Sequence, residues 1–195
     1  MRTAWGYDVE HLEPLFSVEE FNEMTGDAYA GNERIESALA AASQAIRNYC
    51  GWHICPSLSC EAYPMGGGKV IKLPASYVSS INSVTESDKE LTEGQYEWRP
   101  NGLLRRTCFR NWSARWNSIS VKYDAGFDVD ALPDLKEAIR AITEGVLAVS
   151  AGITSESADG VSISYSSNAS SIAAALTQSY KNMLEIYKVV SSHGA

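Results

Sequence analysis

A chain of 195 residues, 45% hydrophobic and 21% charged, has the length and composition of one ordinary globular domain, or of one with a sizeable insertion, and not of a disordered polymer. No apolar run reaches the roughly 18–20 residues that a membrane-crossing helix needs, and the N-terminal stretch with Arg2, Trp5, Asp8 and Glu10 lacks the hydrophobic core of a signal peptide. From these two features the expected setting is the cytoplasm or an assembly built there, and a formal net charge of −8 argues separately against wrapping nucleic acid over the whole surface.

The first predicted element is a short helix opened by Ser17-Val18-Glu19-Glu20, a capping box in which the serine bonds an orphan N–H and Glu20 reaches back. It ends near Gly26. A second helix is predicted from about Asn32 to Cys50, with Asn32 as N-cap and Gly51 as stop; Ile35, Leu39, Ala42, Ile46 and Tyr49 form its apolar stripe. Alanines at 38, 40, 41, 42 and 45 keep it slim, which favours close approach of another helix, within the subunit or between subunits.

From Trp52 to Phe127 the texture turns to short β-prone runs separated by Pro56, Pro64, Pro74 and Pro100. Strands are predicted near Ser59–Tyr63, Lys69–Leu73, Val78–Thr85, Gln95–Arg99, Gly102–Thr107 and Ser118–Tyr123, with Pro100-Asn101-Gly102 as a tight hairpin turn. A third helix starts at Pro133, where a missing N–H costs nothing, and runs to about Ser150 with Leu135, Ile139, Ile142, Val146 and Val149 on one face. Ala158–Ser167 reads as a lone serine-rich strand in need of an edge, and a last helix is predicted from about Ser170 to Val190. The fold class expected from these elements is α+β: a mainly helical bundle with a small β module inserted between its second and third long elements. In domain terms this is a single domain over 1–195, with the β-rich insertion at about 52–127 and a strand-plus-helix segment at about 158–190.

Several segments, in order, resemble the head–tail connector (adaptor, or head completion) proteins of tailed bacteriophages. The capped helix is followed by the acidic, alanine-rich helix ending at Tyr49-Cys50-Gly51. Then comes Val70-Ile71-Lys72-Leu73-Pro74 running on to Val78, Ile81 and Val84, and a hairpin from Tyr96 to Leu104 leads to a turn bearing Trp112 and Trp116. Tyr123-Asp124-Ala125-Gly126-Phe127 and Leu132-Pro133-Asp134-Leu135-Lys136 complete the likeness, which is looser from Thr154 onward. The resemblance implies a non-catalytic structural protein of the virion neck, assembled in the host cytoplasm. It implies a ring of about twelve copies, closed by unlike patches on neighbouring subunits. The implied partners are the portal protein, the next head-closure or tail protein, and possibly DNA passing without sequence specificity, with no membrane and no cofactor. Another head-closure or tail-completion protein is the alternative, ahead of a DNA-binding packaging factor.

Charge is unevenly spread. Residues 1–36 carry nine acids against Arg2 and Arg34, a balance of −7, whereas residues 96–127 carry five arginines and Lys122 against Glu97 and Asp124, a balance of +4. That asymmetry suits electrostatic docking of like subunits or contact with a polyanion from one loop. Candidate subunit-interface residues are Ile35, Ala38, Ala41, Ala42 and Ala45 on the second helix. Candidates for contacting a partner or lining a DNA channel are Arg105, Arg106, Arg110, Trp112, Arg115 and Trp116, since arginine and aromatic residues are enriched at hot spots; the plainer reading is a solvated hairpin over packed tryptophans.

Other motifs carry less. Gly66-Gly67-Gly68-Lys69 lacks the spacer and the Ser/Thr of a phosphate loop and reads as a flexible turn, or a loop that orders on assembly. Cys50, Cys55 and Cys60 with His53 lack zinc-finger spacing and read as structural thiols, and no catalytic constellation is present, so neither a metal nor an enzyme is expected.

Overall fold

The computed structural model describes residues 3–9, 12–108, 110–128, 132–150, 155–158, 161–164 and 177–189. In chain order the elements are β1 (Tyr7–Val9), α1 (Val18–Thr25), α2 (Ile35–Cys50), β2 (Leu58–Ala62), β3 (Val70–Lys72), β4 (Val78–Glu86) and β5 (Lys89–Glu90). They continue with β6 (Tyr96–Arg99), β7 (Leu103–Arg106), β8 (Ile119–Ala125), α3 (Pro133–Ser150), β9 (Ser155–Ala158), β10 (Val161–Ser164) and α4 (Gln178–Leu184), closed by a 3-10 turn at Glu185–Tyr187. Two compact units result, one of Met1–Leu12, Cys50–Asp128 and Tyr187–Ala195, the other of Glu13–Tyr49 and Val129–Ile186.

The first unit is built on antiparallel sheets, one of five strands in the order β1-β2-β8-β4-β5 and one of three in the order β3-β7-β6. β8 is the central strand of the larger sheet, pairing with β2 on one side and β4 on the other. Its alternation is what a half-buried strand requires: Ile119, Val121, Tyr123 and Ala125 are buried, while Ser120, Lys122 and Asp124 face outward. On the outer face Asp124 collects three side-chain bonds, from Ser59 Oγ (2.5 Å), Ser80 Oγ (2.8 Å) and Asn82 Nδ2 (3.0 Å), tying β2 and β4 to β8.

The Ala125-Gly126-Phe127 segment closes this unit. The Ala125 carbonyl accepts from Nε2 of His53 at 2.9 Å. A Cβ on Gly126 (φ +124°) would lie 2.2 Å from the Pro56 carbonyl oxygen, so only glycine fits there. Phe127 then stacks on Tyr77 at 4.7 Å and meets Trp52 and Tyr187 edge-on at 5.8 and 5.9 Å, and Trp52 Nε1 donates to the Tyr187 carbonyl at 2.6 Å. Tyr187 is thereby strapped into this core.

The second unit holds the helices. Ser17 and Glu20 make both bonds of the capping box, and α1 stops at Gly26 in the left-handed region. Its one buried residue, Phe21, sets the inward face. Along α2 the buried positions include Ile35, Leu39, Ala42 and Ile46 as expected. They also include Ser43, whose hydroxyl accepts from Leu15 N (2.9 Å), and Arg47, which donates to the Glu13 carbonyl (2.7 Å). In α3 Leu135, Ile139 and Ile142 are wholly buried, but the next core position is Leu147 and not Val146, which is half-buried.

The mainly helical bundle is overturned. Among the described residues, ten strands in a five-, a three- and a two-stranded sheet accompany four α-helices, so β structure forms the body of one unit and is not a small insert in a bundle. Local periodicity favours the long helices because each declares itself within about twenty residues. The sheets instead depend on distant pairings such as Tyr7 with Ala62 and Cys60 with Tyr123, which no local window contains. The serine-rich strand is also not alone: β10 pairs with β9, Val161 opposite Ala158 through Ser164 opposite Ser155. Residues 165–176 of the predicted last strand and helix lie outside the described residues.

Candidate partner-binding surface

The arginine- and tryptophan-bearing candidates sit on the β3-β7-β6 sheet and on the loop from Thr107 to Ser118. The β6–β7 turn differs from the Asn-Gly pair expected: Gly102 alone has positive φ (77°) and returns its N–H to the Arg99 carbonyl at 2.8 Å. Register then decides where the arginines point. Arg105 stands opposite both Val70 and Glu97, and its guanidinium meets the Glu97 carboxylate at 2.7 Å with both side chains more than half exposed. Arg106, one residue on, faces the other way.

Arg106 is a half-buried structural cation. Its guanidinium lies 5.6 Å from the centroid of the Trp112 ring and 3.7 Å from the Glu86 carboxylate, a pair only 14% and 16% exposed. The other Glu86 oxygen accepts from Ser113 N at 2.7 Å. Trp112 is buried, and its backbone is zipped to the glycine run: its N–H donates to the Gly68 carbonyl (2.8 Å) and its carbonyl accepts from Gly67 N (3.0 Å). A Cβ on Gly66 would sit 2.0 Å from the Ser113 carbonyl oxygen. The glycines thus permit close approach of two backbones, and the expectation of a free turn there is corrected.

What remains outward is sparse and specific. Arg110 and Arg115 are exposed, and Trp116 is 82% exposed at the tip of a turn closed by Ser118 Oγ and N, which donate to the Arg115 carbonyl at 2.6 and 3.3 Å. Met65, next to the glycine run, is 74% exposed; sequence reading passed over it, although a methionine between Pro64 and three glycines is a residue with little local core to enter. Cys108, also exposed, has its thiol lowered in pKa chiefly by a hydrogen bond from the Arg110 backbone N–H. A shallow groove of about 290 Å³ runs between Glu86, Ser87, Arg106, Arg110, Asn111 and Ser113.

The α2 candidates divide. Ile35, Ala38 and Ala42 are buried, whereas Ala41 and Ala45 are only partly covered. The cysteine candidates are committed elsewhere. Cys50, Cys55 and Cys60 are buried thiols, and both ring nitrogens of His53 are engaged, Nδ1 with Tyr7 Oη at 2.9 Å and Nε2 with Ala125 O at 2.9 Å. Burial, aided by the Asp124 charge, pushes the Cys60 thiol up to about 12. Among the described residues no cluster of three or more metal-ligating side chains occurs, and no helix is long and apolar enough to cross a membrane.

Comparison with known proteins adds three findings. A family model described as head completion protein matches residues 14–190. No curated protein matches by sequence. Among solved structures, a chain of the neck of a native GTA particle computed with C12 symmetry superposes with a TM-score of 0.61, at 15% identity, over 96% of this chain and 98% of that one. A chain of the neck of an empty GTA particle computed with C6 symmetry gives 0.59 at 16% identity over the same shares. At these identities the likeness is one of fold.

Proposed function

We propose, from the premise that this chain belongs to the head completion protein family, that it is a structural protein of the virion neck which forms a ring joining the capsid portal to the tail and extends the DNA channel. The observation that carries this reading is extent: the family match spans residues 14–190, and the fold likeness to neck chains runs nearly end to end in both partners. The reading is of an assembly part without turnover.

A closed ring needs two unlike patches that meet through one repeated rotation. Of the five α2 candidates, Ala41 and Ala45 are the ones left to contribute, since Ile35, Ala38 and Ala42 are buried. The arginine surface supports a protein partner over a grip on DNA. Arg106 is turned inward onto Trp112, and Arg105 is already paired with Glu97, so only Arg110 and Arg115 are uncommitted among the four. A channel must also let its cargo slide.

Electron microscopy of the purified protein, alone and mixed with a portal, tests the reading. Rings, or collars seated on the portal, are the expected result. A chain that stays single at every concentration and ignores the portal contradicts it. Ala41→Leu and Ala45→Leu should impair ring formation while leaving the urea midpoint within experimental error; unaffected rings would remove α2 from the interface.

A further inference from the structure

We infer that the groove between the β4–β5 turn and residues 110–113 binds one carboxylate side chain of a partner protein. The inference takes from the neck reading only the kind of partner, a protein and not a metabolite. The walls are fixed by backbone. β4 and β5 are joined through Ser87 and Asp88, both in the left-handed region (φ +51° and +64°), as a two-residue hairpin turn needs. Ser87 N donates to the Ser118 carbonyl at 2.7 Å, and Ser113 N donates to the Glu86 carboxylate at 2.7 Å. The loop is thereby tied to the turn at two points.

Donors dominate the groove. Arg106 and Arg110 line it with the Asn111 amide and the hydroxyls of Ser87 and Ser113, against the single carboxylate of Glu86. Glu86 answers Arg106 loosely: its carboxylate lies 3.7 Å from Nη1, beyond hydrogen-bond reach, and Nη1 is buried with no hydrogen-bond partner. The other Glu86 oxygen is committed to Ser113 N. Arg110 is exposed, and its guanidinium enters no ion pair among the described residues. Two arginines against one glutamate leave a balance of +1, which one carboxylate cancels. The planar fork of Arg110 suits that group, with the Asn111 amide as a further donor. At about 290 Å³ the groove falls just below the range of about 300–1,000 Å³ that holds a whole small molecule, and it suits the end of one side chain. Duplex DNA, with one charge about every 1.7 Å, is held by rows of cations. Glu86 opposes such a run of phosphates, so the charge pattern selects an acidic side chain over DNA.

A nuclear magnetic resonance titration tests the assignment. The probes are an end-capped peptide with one glutamate among alanines, its glutamine counterpart, and a short DNA duplex. The resonances read are the Asn111 side-chain amide, which lines the groove, and the Trp112 indole N–H, whose ring lies beneath Arg106. The glutamate peptide should shift both saturably, and the glutamine peptide neither. Arg110→Ala should weaken binding by about tenfold or more, as loss of a charge-assisted hydrogen bond does. Arg115→Ala, at an exposed arginine outside the groove, should change it by less than about twofold. Arg110→Glu should transfer the preference to a lysine-bearing peptide, a reversal that a folding defect cannot produce. Equal shifts from the glutamate and glutamine peptides, or equal losses from the two alanine variants, would overturn the inference. So would shifts by the duplex with none by the glutamate peptide, an outcome that assigns the groove to DNA. Rings or portal collars that form while the glutamate peptide leaves both resonances unmoved remove the groove and keep the neck reading. Peptide binding by a chain that forms no ring and ignores the portal removes the neck reading and keeps the groove.

Discussion

The Tyr7 hydroxyl accepts the backbone N–H of His53 at 2.8 Å and lies 2.9 Å from Nδ1 of the same residue. Because the Ala125 carbonyl can only accept, the proton of the imidazole sits on Nε2, and Tyr7 donates to Nδ1. One phenol therefore satisfies two buried groups and joins β1 to the segment that follows α2, with the end of β8 on the far side of the ring.

Tyr7→Phe keeps the ring's volume and removes both bonds. His53 is wholly buried, so no water replaces them. An unsatisfied buried donor or acceptor costs about 1–3 kcal/mol, and two are created here. The expected result is a loss of about 2–4 kcal/mol in urea unfolding with an unchanged slope. A loss below about 0.5 kcal/mol would show that the two bonds carry little.

Much of this was legible from residues alone, and the failures have a common cause. The capping box at Ser17, the start of α3 at Pro133 and the alternation of β8 are local signals, and each appears where its residues point. β1 was invisible because three residues of Tyr7–Val9 carry no period; it exists only by pairing with β2 across about fifty residues of chain. Gly66 looked like flexibility in the sequence and is instead a contact with Ser113, a partner nearly fifty positions away. Among the candidate residues, Arg105 and Arg106 were grouped although strand alternation already separates their faces. Trp112 and Trp116 were grouped although only the fold shows one buried and the other bare.

Thiol chemistry separates the cysteines. Cys108 is exposed and its thiol is shifted toward the thiolate, first by the Arg110 N–H bond, with the Arg106 charge contributing. Cys50, Cys55 and Cys60 are buried, and Cys60 stays protonated at neutral pH with its pKa near 12. A chromogenic disulfide should react quickly with one thiol per native chain, absent in Cys108→Ser, and with all four after denaturation. Fast reaction of two or more native thiols would contradict the packing of the first unit.

Asp124 makes stability depend on acid. The Ser59 hydroxyl first, then Ser80 and Asn82, hold its carboxyl below the usual range, against a smaller opposing effect of burial. A depressed folded-state pKa gives stability that is fully present above the unfolded value of about 3.9 and is lost as pH falls through the folded one. Asp124→Asn should therefore be less stable than the parent by a constant amount above about pH 5, with the gap closing below about pH 4. The carboxylate is largely solvated, so the gap is small. Urea midpoints at a series of pH values measure it, and a gap that widens toward acid would reverse the assigned sign.

Arg105 and Arg106 are adjacent and of one chemistry, yet their removal should have different consequences. The Arg105–Glu97 pair is more than half exposed at both ends, and such pairs contribute about 0–1 kcal/mol, so Arg105→Ala should leave the unfolding midpoint nearly unchanged. Arg106 lies between the Trp112 face and a Glu86 carboxylate that also holds Ser113 N, so truncating it strands a half-buried anion and uncovers the indole. Breaking a fully buried pair costs about 3–5 kcal/mol; with 14–16% exposure remaining, about 2 kcal/mol is the expected loss for Arg106→Ala. Because Glu86 and Trp112 anchor the loop that displays Trp116, this variant should also expose the loop to limited proteolysis near Arg110 and Arg115. Equal midpoints for the two alanine variants would mean that Arg106 is as solvated as its neighbour, and that the loop is held by its backbone bonds to Gly67 and Gly68 alone.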